Sequence, residues 1–233
     1  MGSEDLFHKH KAKRQKDLER KVSSRKPYDR ILIVCEGSKT EPIYLEEARI
    51  ELELDSANIM IDGTCGSSPI SVVKHAESIF KKEVLSGGLY NQVFCVFDRD
   101  NHTTYLEAIK YVDVLNNNLI QENISNEPIF NAIHSDPSFE FWLLLHFNYS
   151  TKPYQPKQGK SVGDQVIDDL KVYMPKYKKT QKGIFKTSLD NGSLNTALNY
   201  SQQIYDRAKG SNNMNPSTNM HELITYLQEV KGS

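Results

Sequence analysis

The chain has 233 residues, 38% of them hydrophobic and 9% aromatic, enough apolar material for a sizeable core, which excludes a globally disordered protein. No apolar run approaches the roughly 20 residues that span a bilayer, and the N-terminus lacks an apolar signal core, so a cytoplasmic protein without membrane contact is expected. The formal net charge of -1 conceals a partition: residues 1–30 carry +5, residues 31–150 carry -11 and residues 151–190 carry +5. An acidic body between basic flanks suits a protein that binds metal centrally and phosphates peripherally.

Residues 1–29 read as a basic N-terminal arm, helical or disordered, because Leu6, Leu18 and Val22 are too sparse to form an apolar face. The run Ile31 to Cys35 is continuously apolar and branched, as in a strand buried on both faces of a parallel sheet. A helix over 41–54, a strand over 58–62, a helix over 69–85, a strand over 92–97, a helix over 103–122 and a strand over 128–134 continue the rhythm, and Phe139 to Phe147 opens a further helix. Strands alternating with helices predict an α/β fold with a parallel sheet of about four strands, spanning residues 30–149. Residues 150–233 read as a helical extension packed on that sheet, with helices over 161–173, 190–208 and 219–230. The Lys-rich stretch Lys176 to Lys186 and a turn over Gly210 to Pro216 separate them. Cys35, Cys65 and Cys95 lack metal-ligand spacing, and Cys35 and Cys95 read as buried thiols.

In an open parallel sheet, functional groups gather beyond the carboxyl ends of the strands, at the point where strand order reverses. Glu36 directly follows the first strand, and Asp98 and Asp100 follow the third. If strands one and three are neighbours, these carboxylates converge and repel one another unless a hard cation lies between them. Mg²⁺ (or Mn²⁺) accepts such oxygens and keeps positions open for phosphate and water, the equipment of metal-assisted displacement at phosphorus. Gly37-Ser38-Lys39-Thr40-Glu41 lacks the spacing of a phosphate-binding loop and excludes a nucleotide site of that type. Glu41 stands where a helix dipole favours an acid, so capping explains it as well as chemistry does. Farther on, Asp136 reads as a helix N-cap with Pro137 at the first helical position. Glu140, close to that helix start, can reach back over the strand ends, and His146 is either an additional site residue or a packing histidine.

Four ordered motifs carry a family likeness: Ile31 to Glu41 with Tyr44, Val96-Phe97-Asp98-Arg99-Asp100, Ser135 to Phe147, and Asn215 to Leu223. Together they resemble the RloB family. That resemblance implies a TOPRIM-like fold, with Glu36 as the glutamate that acts as general acid/base near the metal and Asp98 and Asp100 as the metal-binding pair. It also implies a place in prokaryotic anti-phage defence and abortive infection, beside an RloA-like ATPase partner. Asp136 and Ser138 stand where the family pattern leads one to expect Asn and a small residue such as Cys, and neither change touches the acidic triad.

The expected function is therefore a Mg²⁺-dependent nuclease cleaving a phosphodiester of DNA, tRNA or another RNA. Glu36, Asp98, Asp100 and Glu140 would hold one or two metal ions, and Lys178, Lys179, Lys182 and Lys186 would contact the nucleic-acid backbone. Two other classes compete. A haloacid-dehalogenase-like phosphatase would use Asp98 as nucleophile, but the motif comes late in the chain and is followed by Asn101 and His102. A non-catalytic module binding an ATPase or a nucleic acid is the other, and a homo-oligomer is compatible with any of the three.

Overall fold

The computed structural model of the protein describes residues 29–55, 58–100 and 102–231, so the expected basic arm lies outside the described residues but for Asp29. Strand β1 (Ile31–Cys35) leads into helix α1 (Thr40–Glu51), β2 (Ile59–Asp62) into α2 (Pro69–Leu85), and β3 (Gln92–Asp98) into α3 (Tyr105–Gln121). Strand β4 (Phe130–Asp136) is followed by α4 (Glu140–Leu144), α5 (Val162–Lys171), α6 (Ile184–Asp190), α7 (Leu194–Ser211), β5 (Ser217–Thr218) and α8 (Met220–Lys231). The sheet order is β2-β1-β3-β4-β5, with four parallel strands and β5 antiparallel to β4.

Each expected parallel strand is present. Because successive side chains point to opposite faces, Ile31, Ile33 and Cys35 pack on one side with α1 and the C-terminal helices, while Leu32 and Val34 pack on the other with α2 and α3. All five residues of β1 are fully buried, and removing an Ile or Leu side chain from water contributes roughly 1.5–3 kcal/mol. A strand covered on both faces is thus a rigid mount for whatever follows it.

The helices begin where the local chemistry allows. Ser68 caps α2 with Pro69 in its first turn, and Ser161 caps α5 by accepting from the Asp164 N–H at 3.0 Å while the Asp164 carboxylate returns to the Ser161 N–H. Beyond Tyr149 the chain shares the core of the sheet: Leu170, Ile184, Phe185, Ile204, Leu223 and Ile224 lie in one cluster with Ile33 and Phe94.

Two expectations need correction. Asp136 does not cap a helix. It is the last residue of β4, paired with Ser217 of β5, and its carboxylate accepts from Arg99 Nη1 at 2.7 Å. The helix starts only at Glu140, because strand pairing and the arginine have already claimed the groups that a cap would use. The Lys-rich stretch is not wholly connecting chain either. Its end forms α6, whose first N–H groups, Gly183 at 2.5 Å and Phe185 at 2.9 Å, donate to the Glu47 carboxylate of α1.

Candidate active site

Strands β1 and β3 are hydrogen-bonded neighbours on either side of the reversal in strand order. Glu36 extends the ladder by one step, its N–H donating to Val96 O at 2.9 Å. Gly37 then turns the backbone away at φ 74°, in the left-handed region that glycine enters without steric cost. The Glu36 carboxylate therefore stays over β3. Its Oε2 accepts from the Asp98 N–H at 3.2 Å, and its Oε1 stands 3.2 Å from His102 Nε2.

Asp98 closes β3, opposite Ser135 of β4. The next two residues are tied through the backbone to the end of β4 and the residue after it, Arg99 N–H to Ser135 O at 2.8 Å and Asp100 N–H to Pro137 O at 3.1 Å. Asp100 takes φ 34°, a costly conformation for a residue with a Cβ and one that tends to mark functional loops. The Arg99 side chain leans over the Tyr105 ring to reach Asp136, so it braces the turn from outside while Asp98 and Asp100 flank it.

Two more carboxylates adjoin these. Glu41 is buried in the first turn of α1. Glu140, at the start of α4, is only 1% exposed; it accepts from Ser138 Oγ at 2.8 Å and from Tyr177 Oη at 3.0 Å. Lys179 Nζ lies 3.4 Å from the same Glu140 oxygen that Tyr177 contacts. Thr40 Oγ1 donates to the Lys179 carbonyl at 3.0 Å, which fixes that part of the chain against the start of α1.

Crowding acids in a half-dry cleft shifts their protonation. Burial first, then the charges of Glu41, Glu140 and Glu36, holds the Asp98 carboxyl well above the usual carboxylate range. Burial, with Glu140 and Glu36 nearby, pushes Glu41 up to about 7. Glu36 is also raised, by burial and by Asp100, against the opposing pull of the Asp98 N–H and His102. Shifts of this kind, from burial combined with neighbouring charge, recur at functional sites and in structural ion-pair networks alike.

Glu36, Asp98 and Asp100 thus stand at the same end of two neighbouring strands, and Glu41 and Glu140 adjoin them. His146 does not. Its ring is buried among Tyr44, Trp142 and Phe147, with Nε2 3.3 Å from Tyr44 Oη and Nδ1 3.2 Å from Trp142 O. Burial lowers its pKa to about 4 and keeps it neutral. Lys178, Lys182 and Lys186 are exposed, whereas Lys179 turns its ammonium to the acids with about half of its side chain accessible, 52%. Sequence reasoning passed over His102 and Tyr177; for His102 the signal was its place four residues after Asp98 on a short loop, while nothing local marks Tyr177.

The donors are hard carboxylate oxygens, which suit a magnesium or manganese ion in kind. Among the described residues no three His, Cys, Asp or Glu side chains converge closely enough to hold a metal ion as they lie. Both oxygens of Glu36 are turned to protein partners, so ligation would require that side chain to rotate. An apolar cavity of about 330 Å³ between α2 and α3, lined by Phe80, Leu119 and Ile124 among others, lies near the start of β4 and has no part in this chemistry.

No curated protein and no solved structure matches the chain. The family model described as RloB-like protein matches residues 31–227, from the first residue of β1 into α8. The match takes in every group of the acidic cluster, and the chain belongs to the RloB-like protein family.

Proposed function

We propose that the acidic cluster is the centre of a metal-dependent nuclease of the TOPRIM kind, cleaving a phosphodiester of DNA or RNA, tRNA included. The observation that carries this reading is the position of Glu36, Asp98 and Asp100 at the same end of two adjacent parallel strands, with the Glu36 carboxylate on the Asp98 N–H. Asp98, Asp100 and Glu36 would hold Mg²⁺ or Mn²⁺, which supplies charge stabilisation at the phosphoryl oxygens when bound. Glu36 is the acid/base. Burial raises its proton affinity above that of an ordinary glutamate, the direction that acid/base work asks of a carboxylate, and the partly exposed His102 on its Oε1 orients the carboxylate. Exposed Lys178, Lys182 and Lys186 would hold the phosphate backbone. By its family the protein would act in cytoplasmic anti-phage defence with an RloA-like ATPase.

The test is cleavage of single- and double-stranded DNA and RNA by purified protein with Mg²⁺, with and without the ATPase. Glu36→Gln should slow cleavage by at least about 100-fold, and Asp98→Asn with Asp100→Asn should abolish it. Undiminished cutting by that double variant would refute the assignment. Metal binding with no cleavage under any condition would favour a non-catalytic binding module.

A further inference from the structure

The Lys179 ammonium is placed by the fold. Its carbonyl is held by Thr40 Oγ1 at 3.0 Å, next to Glu41. Two residues earlier, Tyr177 Oη donates to Glu140 Oε1 at 3.0 Å. Four residues later, the Gly183 N–H is held by Glu47 of α1. The segment is thus pinned on both sides of Lys179, and Nζ comes to 3.4 Å from Glu140 Oε1. Glu140 is 1% exposed and cannot be neutralised by bulk solvent. A buried carboxylate needs a partner charge or must take up a proton, and this lysine is the cation that the structure supplies. The cluster has two sides that meet at Asp98. On one, Glu36 faces His102 and the Asp98 N–H, with Asp100 beyond; on the other, Glu140 faces Lys179 and Tyr177.

We propose that Lys179 is a built-in cation of the acidic cluster that takes the place of a second divalent ion, so that the cleft holds one metal, on the side of Glu36, Asp98 and Asp100. Lys179 is then a positioning residue, which keeps the Glu140 side of the cleft charge-balanced and closed to metal. The inference rests on the metal-dependent reading above. Lys178, Lys179, Lys182 and Lys186 are all exposed, and of these four Lys179 is the one whose ammonium stands beside a buried carboxylate.

The experiment is calorimetric titration of Mn²⁺ into the full-length protein, as wild type, Lys179→Met, Lys179→Arg and Asp98→Asn, each checked for native circular dichroism. Wild type and Lys179→Arg should bind one ion, and Asp98→Asn none. Lys179→Met should bind a second ion, or hold the first at least about tenfold more tightly, since a neighbouring positive charge has been removed. Two ions in wild type would overturn the inference even if Lys179→Met does not fold. So would a Lys179→Met titration that matches wild type in number and affinity, with the metal-dependent reading left standing. No ion in wild type, with Asp98→Asn indistinguishable from it, would refute the metal-dependent reading and this inference with it.

Discussion

Glu41 is where burial acts most plainly on a single side chain. Its pKa, about 7 in the folded protein, lies above the usual glutamate value of 4.5. The folded state therefore binds a proton that the unfolded state gives up, and stability from this group is present below about pH 4.5 and is lost as pH rises through about 7. Replacing Glu41 with Gln removes the charged form. The variant should melt several degrees above wild type near pH 8 and show little gain near pH 5, where wild type is already protonated. An equal gain at both values, followed by thermal unfolding, would contradict a charge origin. Glu36 and Asp98 were legible in the sequence because each follows an apolar run that could only be a buried strand. In the sequence Lys179 reads as a backbone-phosphate contact and His102 is not read as a site residue, since their contacts with the acids depend on how two loops fold back over the strand ends, and loop paths leave no periodicity.

At the level of elements, the two-residue strand β5 holds the far edge of the site. Ser217 and Thr218 pair with Asp136 and Ser135. Asn219 then accepts from the His134 N–H at 2.7 Å and donates to Ala132 O at 3.0 Å and to Glu222 Oε2 at 2.9 Å. This brace fixes the end of β4 to which the Asp98-Arg99-Asp100 turn is tied. Asn219→Ala leaves buried partners unsatisfied and should cost about 1–3 kcal/mol in urea unfolding; a change under about 0.5 kcal/mol would show that the brace is dispensable. The four parallel strands were legible to within two residues. β5 was not, because two residues carry no alternation, and the misplaced start of α4 came from reading Asp136 and Pro137 as a helix entrance when strand pairing had priority. The motif Asn215 to Leu223 was visible as a family likeness, but its role as a sheet edge emerges only from the fold.

Across the whole molecule, charge is segregated as the sequence indicates: an acidic cleft at the strand ends, with exposed Lys178, Lys182 and Lys186 on the segment that passes beside it. No helix among the described residues is long and apolar enough to cross a membrane. If the lysines meet a phosphate backbone, nucleic-acid affinity should fall with salt, and replacing all three by Ala should reduce the slope of log affinity against log salt by about 2–3. An unchanged slope, measured by fluorescence anisotropy, would remove them from the interface. Anomalous diffraction from Mn²⁺-soaked crystals containing a short oligonucleotide would reveal whether Glu36, Asp98 and Asp100 form a metal centre for phosphodiester cleavage. An anomalous peak is expected at oxygen-ligand distance from Asp98, with Glu36 or Asp100 and a phosphate oxygen as further ligands. A cluster without a peak, or a peak bound only by groups elsewhere, would contradict this assignment.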